Sequence, residues 1–358
     1  PRSTLFPYTT LFRSVTAMNG YQRMRAALEG GMPDAPPVML HIFMRAAVDS
    51  GVSIAMYRRD PRTVARCFIE SVERYGYDGI VVDIDTATLA GAAGVPVLYP
   101  DDEPAVCRGA RLSSIGEVSD LPPVDLAANE RVQIWLESVR LLKSHFGDEV
   151  YVRGNCDQCP FSLSALIRGA GDWMMDLMDP ANEPAVRDLL EYSTTITNQF
   201  IELMAATGAH MVSNGDSSAG PSVVSPRIYR SYAQPYEARV VETAHRLGLP
   251  YALHICGKTE PILGDMVLTG ADALELDSLT DPTRARDALA GRAAFIGNLD
   301  PTSILALSTP EDVEAETRRL MGLFAAGRRF VLNAGCAIAP NTPPENIHAM
   351  IRAARAGY

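Results

Sequence analysis

PYALHIC (250–256) is a short apolar run that ends on polar or small side chains, and ADALELD (271–277), AAFIGN (293–298) and FVLNAGC (330–336) repeat its form downstream. Upstream, the same form recurs at PVMLHIF (37–43), DGIVVD (78–83), EVYVRG (149–154) and HMVSNGD (210–216). Helical patterns such as Pro61–Tyr75, Glu130–Phe146, Pro184–Thr207, Pro226–Leu247 and Pro310–Ala326 lie between the runs. This alternation builds a parallel α/β sheet. Eight such units suit a closed (β/α)8 barrel better than an open doubly wound sheet. No Gly-rich phosphate loop follows the first run, so a nucleotide-binding version of the open sheet has no support. We therefore expect an α/β fold, a single TIM barrel over residues 18–358 with an N-terminal helical extension. The Pro- and Asp-rich stretch 84–148, with GVPVLYPDDEP and DLPPVDL, is expected to form a hairpin and loop elaboration of the rim.

Composition narrows the function. With 47% apolar and 21% charged residues, the 358-residue chain is neither disordered, collagenous nor a disulfide scaffold. The net charge of −11 has the wrong sign for phosphate backbones, so nucleic acid is excluded as a partner. Six cysteines are too few for a stapled secreted domain, and no apolar stretch is long enough to span a bilayer, which points to a reducing cytoplasm and no membrane contact. PRSTLFPYTTLFRS at the start contains a near-duplication and lacks the regions of a secretory signal. Residues 1–17 are read as a non-native or disordered leader, with a natural start near Met18. Ala- and Leu-rich helix faces permit a homodimer.

In such barrels the chemistry sits at the C-terminal ends of the strands. Those ends carry Asp83, Asn155, Asp216, His254 with Cys256, Asp277, Asn298 and Cys336. Alternate residues of a strand point the same way, so His254 and Cys256 can face one ion, and Cys336 supplies a second sulfur. One imidazole and two thiolates with an open fourth position make a catalytic zinc set. Asp277 could fill that fourth position until substrate displaces it. Spacing alone also allows buried cysteines acting as small hydrophobes and a hydrogen-bonded histidine, the commoner roles of these residues. Cys156-Asp-Gln-Cys159 is a rival, but it lacks both the second half of a zinc knuckle and the start of a thioredoxin-like unit, and its sulfurs are read as loop thiols near the pocket. Cys67 and Cys107 are given no function. His41 and Arg45, near the end of the first run, are pocket candidates.

The stretches Val38–Arg45, Gly79–Pro104, Gly154–Gly169, Gly208–Tyr236, Leu253–Gly264, Gly297–Pro301 and Asn333–Ala354 together resemble the uroporphyrinogen decarboxylase-like barrels. LHICGKTEPIL, GNLDP and NAGCAIAPNTPPENIHAM resemble its branch of cobalamin-dependent methyltransferases, which includes methylcobamide:coenzyme M methyltransferases and O-demethylase components. The resemblance implies zinc held by His254, Cys256 and Cys336. Asp83 falls where decarboxylases keep the aspartate that holds pyrrole nitrogens. Three departures point away from decarboxylation: Asp49 stands where a second substrate-binding arginine would follow Arg45, Leu166 replaces a pocket tyrosine, and Cys336 replaces a C-terminal histidine.

The expected reaction moves a methyl group between a corrinoid (methylcobalamin) and a small acceptor or donor, with zinc keeping a thiol deprotonated or polarising the heteroatom. No cobalamin-ligating Asp-x-His-x-x-Gly occurs in the chain, so the corrinoid would arrive on a corrinoid-binding partner protein. Asn155 and Asp216 would bind substrate, or Asp216 would cap a turn. Asn298, with Asp300, would shape the loop around the zinc ligands. The runner-up is a metal-free carboxy-lyase of the decarboxylase type.

Overall fold

The computed structural model describes residues 17–325 and 329–357. The leader expected over 1–17 lies outside them except for Ala17, as do the last residue of the helix expected to end at Ala326 and Tyr358. Eight parallel strands form one sheet: β1 (Met39–Leu40), β2 (Gly79–Val82), β3 (Tyr151–Gln158), β4 (Met211–Gly215), β5 (Tyr251–Ile255), β6 (Ala273–Leu276), β7 (Ala294–Leu299) and β8 (Phe330–Ala334). Sheet order follows chain order. A parallel bridge from Val38 to Leu332 brings β8 back to β1 and closes the barrel. All eight expected runs are strands, and the rim hairpin is present as Val97–Leu98 antiparallel to Val106–Cys107.

Local signals account for the helix boundaries. Asp60 accepts from the amides of Arg62 and Thr63, Pro61 opens the helix, and Gly76 closes it at φ 71°, giving Pro61–Tyr75. Asn129 caps Glu130–Phe146 in the same way. The single helix expected over 226–247 is instead three pieces, Pro226–Ile228, a π turn over Tyr229–Ala233, and Gln234–Arg246. Pro235 has no amide to give, and the wider turn accommodates it while the Tyr229 hydroxyl donates to buried Glu237 at 2.5 Å.

The barrel interior is layered. Met39, Val81, Tyr151, Met211, Ala252, Ala273, Ile296 and Val331 form an apolar plug, and Met24, Ala27 and Leu28 of the N-terminal helix (Gly20–Glu29) seal it from below. Strand side chains alternate, so the residue two positions on along each strand points inward one layer higher. Those residues are His41, Asp83, Arg153, Ser213, His254, Glu275, Asn298 and Asn333, and every one is polar. The outward residues between them, such as Leu40, Val82, Leu253, Leu274 and Leu332, pack against the helices.

Candidate metal centre at the barrel mouth

His254 and Cys256 leave β5 on the same face, and the loop after β8 brings Cys336 to them. The nitrogen and two sulfurs lie within 4.8 Å of one another. His254 Nε2 is 3.0 Å from Cys256 Sγ, and Cys256 Sγ is 4.0 Å from Cys336 Sγ. His254 Nδ1 donates to the Glu275 carbonyl at 3.0 Å, which fixes the ring and leaves Nε2 as the donor atom facing the sulfurs. The Cys336 thiol and the His254 ring hold Cys256 down to about 3, although burial opposes this. Burial alone would lower His254, but the Cys256 sulfur beside it outweighs burial and raises it to about 9. Cys336, which donates to Cys256, is pushed up by that bond and by burial. The imidazole and the neighbouring thiol thus both favour the anionic form of Cys256, the form in which a sulfur binds a divalent ion.

Asp277 is not one of the group. Its carboxylate accepts from the Gly257 amide at 2.8 Å and the Leu279 amide at 2.9 Å, so both oxygens are engaged in shaping the turn after Cys256. The strand ends one residue earlier, and the backbone amides of two neighbouring loops take the side chain that was expected as fourth ligand. Asn298 also braces: its amide donates to the carbonyls of Asp277 and Thr280, both at 2.9 Å, while Thr280 Oγ1 donates to the Gly257 carbonyl at 2.9 Å. Asp300 accepts from the Thr302 and Ser303 amides and belongs to the same loop work. Ser217 Oγ accepts from the Cys256 amide at 3.3 Å and supports the ligand from the other side.

Below the ligands lies a buried network with Glu275 at its centre. Arg153 is ion-paired to it, with both side chains 2% exposed, and the Arg153 Nε donates to Ser213 Oγ at 2.7 Å. The Asn333 amide donates to the other Glu275 oxygen at 2.8 Å. Burial alone would raise the Glu275 carboxyl, yet Arg153, His254 and His41 together bring it down to about 2. Ser213 Oγ donates in turn to Asn155 Oδ1 at 3.2 Å, and Asn155, at the end of the inward face of β3, is half-buried. Across the layer, His41 Nε2 is 2.7 Å from Asp83 Oδ2. Sequence reading missed Glu275, Arg153, Ser213 and Asn333. The signal was present: a charged residue in the middle of an apolar run, on the face shared with the metal candidates.

A family model described as Uroporphyrinogen decarboxylase (URO-D) matches residues 19–357. The chain belongs to this family. It is 28% identical over 284 residues to a methylcobamide:CoM methyltransferase, MtbA, from Methanosarcina mazei, covering 78% of this chain and 80% of the relative. It is 30% identical over 307 residues to a uroporphyrinogen decarboxylase from Nocardioides sp., covering 84% and 85%. A solved methyltransferase from Methanosarcina mazei superimposes with a TM-score of 0.82 at 20% identity, over 95% of this chain and 99% of that one, which confirms the barrel fold.

In this URO-D family chain the remaining candidates are each engaged by other groups of the fold, although Asp216 Oδ2 is buried with no hydrogen-bond partner. Arg45 is ion-paired to Asp49 and donates to the Pro340 carbonyl at 2.9 Å, fastening the loop after β8 to the helix Phe43–Asp49. Asp49 also takes the Arg74 guanidinium at 2.8 Å and the Tyr75 hydroxyl at 2.6 Å. The Asp that replaces the expected second arginine thus neutralises the first. Asp216 is fully buried, accepts from the Ser162 amide at 2.7 Å, and caps the helix Pro160–Arg168, whose own N-cap residue Cys159 makes no such bond. Burial raises its carboxyl to about 6. Its capping side is the one realised, on a helix other than its own. Cys156 lies in β3 and Cys159 at the helix start; both are fully buried rather than on a loop, and burial pushes both thiols far up.

Proposed function

We propose that this chain is a zinc-dependent methyltransferase, a single barrel domain over 18–358, that moves a methyl group between a corrinoid carried by a partner protein and a small thiol, folate or methylated substrate. The observation that carries the reading is the convergence of one imidazole nitrogen and two sulfurs at the mouth, from positions 80 residues apart in sequence. The donor set fits zinc: one borderline and two soft ligands, three in number, with the Glu275 carbonyl already setting the histidine tautomer. His254, Cys256 and Cys336 would hold the ion, which supplies a Lewis acid that keeps a bound sulfur anionic or polarises a methylated heteroatom. Asp277, Asn298 and Ser217 hold the two ligand-bearing loops in register. The apolar plug below bars water from the far end of the barrel, so substrate and corrinoid must both enter at the C-terminal face. Relatives named as methylcobamide:CoM methyltransferases support corrinoid chemistry.

The carboxy-lyase alternative needs free cations for substrate carboxylates. Arg45 is neutralised by Asp49 and Arg153 by Glu275, which counts against it. The deciding experiment is metal content per chain on protein purified without added metal or chelator. About one zinc supports the reading, and transfer assays with methylcobalamin and a panel of thiols and folates follow. Failure to take up metal even on reconstitution sinks it.

A further inference from the structure

The polar layer contains one histidine that the metal centre does not use. His41 follows β1 and, two residues after the plug residue Met39, points to the barrel axis. Its Nε2 is 2.7 Å from Asp83 Oδ2, and the side chains of the pair are 16% and 3% exposed. Asp83 is fixed on all sides: Oδ1 accepts from the Ile84 amide at 2.8 Å, and the backbone carbonyl accepts from the Tyr57 hydroxyl at 2.7 Å. A carboxylate is an acceptor, so this bond keeps the proton on Nε2 and leaves the lone pair on Nδ1. Nδ1 has no hydrogen-bond partner among the described residues. The His41 backbone is tied to the segment that carries Cys336. The Asn333 side chain accepts from the His41 amide at 3.3 Å and donates to Glu275, and the Ile338 amide, two residues past Cys336, donates to the His41 carbonyl at 2.8 Å. Asp83 at the end of β2 is bonded to the ring, and Glu275 on β6, with its partner Arg153, is close enough to interact with it electrostatically.

An imidazole oriented by a buried carboxylate, with its second nitrogen left unpartnered in the polar layer of the barrel, is the arrangement of a general acid–base. We propose that His41, held by Asp83, exchanges a proton with the reacting heteroatom of the substrate, and that this substrate is a neutral protic molecule. The proposal rests on the methyl-transfer reading above. In the acceptor direction the heteroatom's proton passes to Nδ1, its freed electron pair forms the bond to the methyl carbon, and the pair of the broken carbon–cobalt bond stays with the corrinoid of the partner protein. In the donor direction the carbon–heteroatom bond breaks, the methyl passes to the reduced corrinoid, whose own electron pair makes the new bond, and the heteroatom takes the pair it is left with together with the proton from Nδ1. Asp83 is the positioning residue: it sets the tautomer and stabilises the imidazolium. With Asp83 and Glu275 facing the site and both nearby arginines neutralised, a neutral protic substrate suits it better than a polyanion.

The test uses zinc-loaded full-length protein and 2-mercaptoethanol as the thiol probe, titrated calorimetrically in buffers of different ionisation enthalpy. Wild type should release close to no proton per thiol bound, because His41 retains it. His41→Gln, which can still donate to Asp83, should keep its zinc and release about one proton per thiol, with transfer from free methylcobalamin slowed about 100- to 10,000-fold. Nitrogen-15 spectra should show the His41 ring protonated at Nε2 and unprotonated at Nδ1, and Asp83→Asn should disturb this assignment. Equal proton release by wild type and His41→Gln overturns the proposal and leaves the methyl-transfer reading intact. Wild-type protein that takes up zinc yet neither binds the thiol nor transfers a methyl group overturns both.

Discussion

Two pairs of cysteines lie within one barrel and have opposite properties. Cys156 and Cys159 sit three residues apart in the spacing of a metal or redox motif, yet both are fully buried among apolar side chains, with Cys159 Sγ 3.3 Å from the Tyr251 hydroxyl. Cys256 and Cys336 have no motif between them, yet their sulfurs meet at 4.0 Å beside an imidazole. Burial disfavours a thiolate and pushes the first pair up, while a neighbouring cation and a donated hydrogen bond pull Cys256 down to about 3. The contrast shows that charge environment decides which sulfur is chemically available, and that spacing in sequence is a poor guide to it.

The sharpest way to break this contrast is Cys336→Ser. It should cost most of the bound zinc and nearly all methyl transfer, while circular dichroism and thermal unfolding report an intact barrel. A variant that keeps one zinc and its turnover would mean that the second sulfur pair has been ranked wrongly.

Next in size is the support beneath the ligands. Glu275→Ala leaves Arg153 buried and unpaired, and breaking such a pair from one side costs about 3–5 kcal/mol, read as a lowered midpoint in urea. The same carboxylate gives a pH signature. Its folded value of about 2 lies below the ordinary 4.5, so the stability it contributes is complete above 4.5 and is lost as pH falls from there through about 2. Glu275→Gln should flatten that part of the acid limb. An unchanged acid limb would show that Arg153 finds another partner.

The sequence made the barrel legible because every strand is a short apolar run followed by a helix with its own stop and start residues, such as Asp60-Pro61 and Gly76. The convergence of His254, Cys256 and Cys336 was legible because soft side chains at strand ends are rare and the barrel brings those ends to one mouth. Glu275 was not, since ADALELD was read from its last residue; alternation puts Glu275 and Asp277 on one face, but only the fold decides that the strand stops at Leu276 and that Asp277 turns to the Gly257 and Leu279 amides. Arg45 was legible as a charged residue near the mouth, while its capture by Asp49, and the hold of Arg74 and Tyr75 on Asp49 from 25 and 26 residues further along the chain, were not. The π turn at Tyr229–Ala233 depends on a buried hydroxyl-to-carboxyl bond that no period reveals.

Asp277 permits a finer cut between ligand and brace. If it only holds the Gly257 turn, Asp277→Ala should weaken zinc binding about 10- to 100-fold, as measured by chelator competition, without lowering the number of ions bound at saturation. Loss of the ion at saturating zinc would restore Asp277 as a ligand reached by a rearranged loop.

The smallest effect belongs to the other sulfur pair. In Cys159→Ser the hydroxyl can take the place of the thiol beside the Tyr251 hydroxyl, which itself donates to Asn214 Oδ1 at 3.0 Å, so the polar partners survive. What is lost is contact of one large sulfur in a tight interior, a change on the order of 1 kcal/mol in stability. Zinc content and methyl transfer should equal those of wild type, because neither Cys156 nor Cys159 belongs to the ligand group. A drop in either would make the buried pair part of the site, and the argument that environment rather than spacing selects the reactive sulfur would fail where it is most exposed to test.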